Sequence, residues 1–319
     1  FFNIIFTCRK QMIFSEKIPG PKGLPIIGNL LDVVSTSEAM LESEVSRGNL
    51  YAAQGVSRFW VFNRCLITPN CGRTIKAILD SNVEIVKGNT YAVFIPWLGN
   101  GLLLSTGDYW RQHRRLLTPT FHFSQLDTYI TAMNRNAKVL VDEIMPDIES
   151  GNTIDMFPLI KRCSLDIICE TVMGKDLSSQ RNPDQPYVTA IQRMMELGVE
   201  FAILPRYWLK TVRQLFGKQQ EFERHARVAR TFTRKVIEER SRSISNGEVE
   251  SNKRTFLDLL LISNYENKMT HDEIQDEVEN FMFAGHDTTT SGITWTIWAL
   301  ACHPEIQERV AREVIDLFG

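Results

Sequence analysis

The sequence predicts a mainly α-helical protein with a small β-sheet, and three observations carry that prediction. From Thr106 onward apolar residues recur at helical spacing, with breaks at Pro119, Pro146, Asn152–Thr153, Ser178–Pro186 and Pro205. A capping box, Thr270 with Glu273 three residues on, opens a proline-free run that reaches Cys302. At 1.5 Å per residue, roughly thirty residues span ~45 Å, the width of a sizeable domain. Residues 56–68, by contrast, read as a strand pair turning at Asn63-Arg64.

The remaining elements follow from local chemistry. Phe1–Phe6 is apolar but far short of the ~20 residues a spanning helix needs, and Arg9-Lys10 add positive charge behind it. Residues 1–17 therefore read either as the end of a membrane-anchor region or as a frayed terminus. Pro19–Gly28 holds three prolines and three glycines, so 18–28 is expected to be a stiff, extended hinge. Pro69 precedes an amphipathic helix ending near Leu79, and Ser241–Arg254, polar and without aromatics, is expected as an exposed loop. Pro304 opens a last helix to Phe318. Residues 29–319 are expected to form one large domain rather than two.

Charge excludes one class of partner. Lys and Arg number 36 against 38 Asp and Glu, for a net charge of -2, which gives nucleic acid no electrostatic footing. The six cysteines, Cys8, Cys65, Cys71, Cys163, Cys169 and Cys302, form no C-x-x-C pair, so reduced core thiols are expected.

The second half of the long run, Phe281–Trp298, is apolar or hydroxylic nearly all round, the pattern of a buried helix crossing the interior. Gly285, His286, Asp287 and the hydroxylic residues from Thr288 to Ser291 are costly there. A mid-helix glycine costs about 1 kcal/mol, and an unpaired buried carboxylate costs several. Either a functional site or a polar helix–helix contact with internal water offsets that cost, and the residues alone leave both open.

Ala284-Gly-His-Asp-Thr-Thr289 resembles the A-G-x-D-T-T motif on the central helix of the cytochromes P-450. The resemblance implies that Gly285 lets the helix approach the haem face, with Ala284 beside it. It gives Asp287 and Thr288 the handling of oxygen, water and proton delivery. His286 occupies the variable position and is expected as a core or channel histidine without a ligand role. Trp110-Arg-Gln-His-Arg114 matches the family's W-x-x-x-R, in which Trp110 and Arg114 engage a haem propionate. The spacing is apt, because i and i+4 share a helical face and guanidinium clamps a carboxylate with two hydrogen bonds. The flanking Trp97–Trp110 and Leu116–Phe123 resemble the fatty-acid-hydroxylase branch, family four, and the prolines at 19–28 its hinge. Where many family-four members have a glutamate that esterifies the haem, this chain has Ala284, so no ester is expected.

The resemblance covers the whole chain and implies a cytochrome P-450 fold incomplete at the C-terminus. The family's E-x-x-R helix and its cysteine haem loop are expected beyond residue 319, and the axial cysteine with them. Glu221/Arg224 and Glu239/Arg242 fit E-x-x-R formally but precede the central helix, and read as charged faces. The implied cofactor is haem b, its iron held by one cysteinate, with electrons from NADPH through a flavin reductase. The implied reaction inserts one oxygen atom of O2 into a lipophilic substrate, a fatty acid or similar, at the cytoplasmic face of the endoplasmic reticulum membrane. Arg111, His113, Arg114 and Arg115 offer a reductase docking patch or a solvated basic face, with Arg114 expected to turn inward. Phe201–Trp208 reads as a membrane-dipping tip over the substrate entrance or as a buried turn. Two alternatives stand beside this reading. One is a non-catalytic truncated product or interaction module without haem; the other is a haem-thiolate isomerase or dehydratase, against which Asp287 and Thr288 speak.

Overall fold

In the computed structural model, residues 13–33, 37–62, 64–83, 85–118, 123–248, 255–265 and 269–319 are described. They divide into two units, one comprising the chain to Val86 with Val199–Leu215, the other Lys87–Gly198 with Phe216–Gly319.

The first unit is built on a hairpin. Strand β1, Val56–Val61, pairs antiparallel with β2, Arg64–Pro69, placing Val61 opposite Arg64. Asn63, half of the expected turn, lies outside the described residues. Phe59, Trp60 and Val61 are all buried, and since successive strand residues face opposite ways, both faces of β1 are covered at its end. The proline-rich hinge is not the extended spacer expected of it. Leu24 and Gly28 exchange backbone hydrogen bonds of 2.8 and 2.9 Å, closing a tight turn, and Gly28 bridges on to Val61. Gly28 has φ +62°, and a Cβ there would stand 2.5 Å from the Trp60 carbonyl oxygen, so the turn needs glycine. Proline stiffened this segment, but the backbone groups it left free found β1.

Helix α1, Ser37–Leu50, was not anticipated; Arg47 lies 4.3 Å over the Phe59 ring. Helix α2, Gly72–Leu79, ends where expected. The 201–208 segment is a buried turn rather than an exposed aromatic tip. Phe201 and Tyr207 are buried edge to face at 6.1 Å, Arg213 stacks 4.9 Å over Phe201, and Trp208 Nε1 donates to the Ala202 carbonyl at 3.0 Å. The unit's tail closes with the helical segment Lys210–Leu215, which leaves Leu215 exposed, as Leu209 is just before it.

The second unit is helical: α3, Ile95–Leu98; α4, Gly107–Leu117; α5, Phe123–Glu149; α6, Met156–Ile168; α7, Pro186–Ile203, which runs on into the first unit; α8, Lys218–Ser245; α9, Phe256–Tyr265; α10, His271–Cys302; and α11, Pro304–Phe318. A π-helical turn, Cys169–Met173, extends α6. Helix α10 packs along α6 more than along any other helix, and also meets α3, α8 and α9. Both halves of the Thr270–Glu273 capping box form.

Several boundaries differ from expectation. Pro146 sits inside α5 three residues before its end, where the hydrogen bond it cannot donate and the bend its ring imposes fall only on the last turn. Residues 241–245 are the last turn of α8 rather than loop, and 249–254 lie outside the described residues, as does Pro119. Cys163 and Cys169 are buried thiols, Cys65 and Cys71 are half-buried, and Cys302 is exposed rather than core; Cys8 lies outside the described residues. Most importantly, α10 is not buried beyond Thr290. Ile293, Trp295, Ile297 and Trp298 are 44%, 64%, 38% and 59% exposed, and α11 buries nothing. Among the described residues no helix is long and apolar enough to cross a membrane.

Candidate functional site

The site is organised by acidic and amide side chains in the first half of α10, which the sequence reading did not single out. Glu277, Glu279 and Asn280 are buried and face the segment running from α3 into α4. Asp276 Oδ2 accepts from the Asn100 N–H at 2.8 Å, Glu277 Oε2 from Leu102 N–H at 3.0 Å, and Asn280 Oδ1 from Leu103 N–H at 2.9 Å. Asn280 Nδ2 returns a bond to the Leu98 carbonyl at 2.7 Å, and Trp97 Nε1 donates to Glu279 Oε2 at 3.0 Å. Arg230 of α8 donates to both the Trp97 carbonyl and Asp276. With one oxygen of Glu279 excepted, the buried polar atoms in this row exchange water for protein partners, the condition under which such burial is tolerable.

Two glycines make the approach possible. At Gly99, φ is +59° and a Cβ would fall on the Asp276 carboxylate; at Gly101 a Cβ would fall on the Asn280 amide. The Trp97-Leu-Gly-Asn-Gly-Leu102 run therefore has a physical cause, since the backbone must come within hydrogen-bonding reach of α10. The aromatic wall behind it is Trp97 against Phe283 at 5.2 Å and Phe94 against Phe283 at 6.1 Å.

Glu279 is the exception in this row. Its pKa is pushed up to about 7, by burial first and by the Asp276 charge; Thr233, Arg230 and Trp97 pull it down. Its second oxygen faces the Thr233 hydroxyl without a well-formed hydrogen bond.

The same acids seat α4. His113, expected on a basic patch, is buried instead, with Nδ1 2.8 Å from Glu277 Oε1 and Nε2 3.6 Å from Glu273. Burial is the largest influence on His113 and lowers its pKa, but the Glu277 and Glu273 contacts reverse this, leaving it raised. Tyr109 stacks on His113 at 4.1 Å and donates to Glu273 at 3.2 Å. With that face of α4 turned to α10, Arg114 is exposed rather than inward and Trp110 is partly exposed. Arg111 is engaged with Asp108 at 3.2 Å, whereas among the described residues the Trp110 indole N–H and the Arg114 guanidinium have no hydrogen-bond partner.

Farther along α10, the hydroxyls divide by face. Thr290 is fully buried; its Oγ1 donates to the His286 carbonyl at 2.6 Å and lies 2.7 Å from Ser164 Oγ on α6. Thr288 is exposed and satisfies its hydroxyl on the Ala284 carbonyl at 2.7 Å, which puts Ala284 and Thr288 one turn apart on an uncovered face. Gly285 has a packing cause beside the role expected of it. A Cβ there would stand 2.5 Å from Ile168, so the glycine lets α6 approach α10. His286 is buried, with Nδ1 2.7 Å from the Met282 carbonyl and Nε2 unpartnered among the described residues. Burial, chiefly, lowers its pKa. It lines a cavity of about 210 Å³ with Lys161, whose own pKa burial lowers against the charges of Asp287 and Glu196. Asp287 is half-buried. Neither formal E-x-x-R pair closes on itself, since Glu221 pairs with Arg193 and Glu239 with Lys175, as charged faces do.

A crystal structure of the cytochrome P450DA heme domain matches this fold with a TM-score of 0.75, over 92% of this chain and 62% of that one, at 20% identity. The fold is therefore that of the cytochrome P450 haem domains. The Cytochrome P450 family pattern matches residues 18–319, and the chain belongs to that family. It is 35% identical over 311 residues to cytochrome P450 4V2 of Pongo abelii, covering 93% of this chain and 59% of that protein. Its identity to cytochrome P450 4c3 of Drosophila melanogaster is 32% over 345 residues, covering 100% and 63%. The chain thus spans less than two thirds of the length of these relatives.

Proposed function

We propose that this chain provides the proton-handling and cofactor-seating helices of a haem-thiolate monooxygenase that inserts one oxygen atom of O2 into a lipophilic substrate. The observation that carries the reading is the sorting of hydroxyls on α10. Thr290 is consumed by packing, while Thr288 shares an uncovered face with Ala284 and keeps its hydroxyl accessible.

Haem is the cofactor that family membership brings, and the residues present fit it. Trp110 and Arg114 are one turn apart on α4, with an indole N–H and a guanidinium unclaimed among the described residues, a donor set suited to a propionate. Ala284 and Thr288 offer it a small, lightly polar face. When bound through a cysteinate, haem supplies oxygen activation and O–O cleavage. The chain's residues hold and move protons. The Thr288 hydroxyl can release the Ala284 carbonyl to accept or donate at the open face, and Asp287 lies next to it, within the field of Lys161. Ala284 carries no carboxylate, so the cofactor is held without an ester.

A fatty acid or similar lipophile is the substrate class. It is supported by a cavity of about 670 Å³ in the first unit, lined by Phe62, Trp208, Leu209 and other apolar side chains with Arg64 and Arg206. Exposed Ile26, Leu31 and Leu209 in that unit suit the cytoplasmic face of the endoplasmic reticulum membrane. Electrons come from NADPH through a flavin reductase, for which Arg111 and Arg115, without His113, remain as docking cations.

The test is Thr288→Ala in haem-loaded protein. NADPH oxidation should continue while product falls and hydrogen peroxide rises. Unchanged product per NADPH would make Thr288 a structural hydroxyl and remove the assignment. Arg114→Ala should shed haem faster than Arg111→Ala, whose side chain Asp108 already engages; equal retention would sink the propionate reading.

A further inference from the structure

A carboxylate that is fully buried two turns into a helix needs a reason, and Glu277 has two partners from different places. Its Oε2 accepts from the Leu102 backbone N–H at 3.0 Å, and its Oε1 meets His113 Nδ1 at 2.8 Å. Leu102 belongs to the glycine-bearing segment between α3 and α4, and His113 is the residue just before Arg114. One side chain of α10 therefore spans the segment entering α4 and α4 itself. Lys87 closes the segment from the other side, donating to the Leu102 and Ser105 carbonyls at 2.9 Å each, with its ammonium 6.0 Å from the Trp110 ring centroid. His113 and Arg114 are consecutive on one helix, so clamping His113 against α10 turns Arg114 outward, and Trp110 shares its face at i and i+4.

We propose that Glu277 is a positioning residue for Trp110 and Arg114. It sets the rotation of α4 against α10, so that the indole and guanidinium stand at a fixed distance and angle from the Ala284–Thr288 face. This rests on the propionate reading of those two residues. Asp276 and Asn280 hold only the segment before α4, and Glu273 reaches α4 from nearer the exposed start of α10. Glu277 alone of these four contacts both the segment and the buried face of α4.

The experiment compares Glu277→Ala, Glu277→Gln and Arg114→Ala, singly and with Glu277→Ala and Arg114→Ala combined. Amide hydrogen exchange is read on the 319-residue chain, and the rate of haem transfer to a haem-free globin is read on haem-loaded protein. For Glu277→Ala, exchange across 100–117 should accelerate at least about tenfold while α8 stays protected, and haem should leave about tenfold faster. Combining it with Arg114→Ala should release haem no faster than the faster single variant. Glutamine keeps an acceptor for Leu102 and a polar group for His113, so Glu277→Gln should stay within about threefold of the parent in both readouts. Should Glu277→Ala also deprotect α8, His113→Phe, which cuts only the α4 arm, takes its place with the same expectations. Unchanged exchange at 100–117, or additive haem release in the combined variant, overturns the proposal. Haem release unchanged in Arg114→Ala overturns the propionate reading instead, and the exchange data still report whether Glu277 fixes α4.

Discussion

The two halves of α10 reverse the usual distribution of polarity. Between Ile274 and Met282 the helix buries Gln275, Glu277, Glu279 and Asn280, while between Ile293 and Trp298 it exposes isoleucines and indoles. The difference teaches that burial in this helix follows the partners that reach it rather than the residue type. Carboxylates are carried inside where the 97–103 segment delivers N–H groups to them, and indoles stay in solvent where no element among the described residues covers them. A buried charge without those donors would be strongly destabilising, whereas an exposed indole costs little locally and mainly invites association.

The sharpest way to break the comparison is at Gly99. Alanine there must adopt a backbone conformation near-exclusive to glycine and drive its Cβ into Asp276, so Gly99→Ala should cost about 3 kcal/mol or more. A urea unfolding midpoint unchanged from the parent would show that the approach of the segment to α10 is not tight.

The buried acids also make a pH prediction. His113 is raised above its usual value, so its contribution is complete below pH 6.5 and is lost as pH rises through the elevated folded value. Glu279, raised to about 7, contributes fully below pH 4.5 and loses that contribution as pH rises toward 7. Both act in the same direction, so the 97–117 region should exchange its amides more readily at pH 8 than at pH 6 after correction for intrinsic exchange rates. Glu279→Gln should flatten the acid-side part of that dependence; a variant with the parent's full slope would remove Glu279 as its source.

The hydroxyls give a third contrast. Thr290→Ala should cost about 1–2 kcal/mol, because it removes a buried hydroxyl shared with Ser164, whereas Thr288→Ala should change stability by under about 0.5 kcal/mol. Equal losses by thermal unfolding would mean that Thr288 is as structural as its neighbour. At Gly292 a Cβ would meet nothing within 4 Å, so Gly292→Ala should stabilise by up to about 1 kcal/mol through helix propensity, read as a raised unfolding temperature. Smallest in stability is Trp295→Gln with Trp298→Gln, within about 0.5 kcal/mol, but it should reduce binding of a hydrophobic dye and self-association. Dye binding at the parent level would locate the sticky surface elsewhere.

Much of this molecule was legible in the sequence wherever the cause lay within a turn or two. The capping box at Thr270, the hairpin across 56–68, the end of α2 at Leu79 and the start of α11 at Pro304 depend on neighbours a few residues away, and all appear. The A-G-x-D-T-T and W-x-x-x-R patterns likewise located α10 and α4 through residue types alone. Hydrophobic pattern failed for α10 beyond Thr290, because it reports what a helix can bury and not whether a covering element is at hand. Which way α4 faces could not be read either. Glu277 finds its partners 164 and 175 residues away in the chain, and Gly285 is explained by an isoleucine on another helix. Local sequence determined most of the helices, α1 excepted, and which hydroxyls and cations could do chemistry. Only the tertiary structure decided which carboxylates are buried, which hydroxyl is open and that Arg114 is unpaired among the described residues, because each of those depends on what a distant segment brings within about 3 Å.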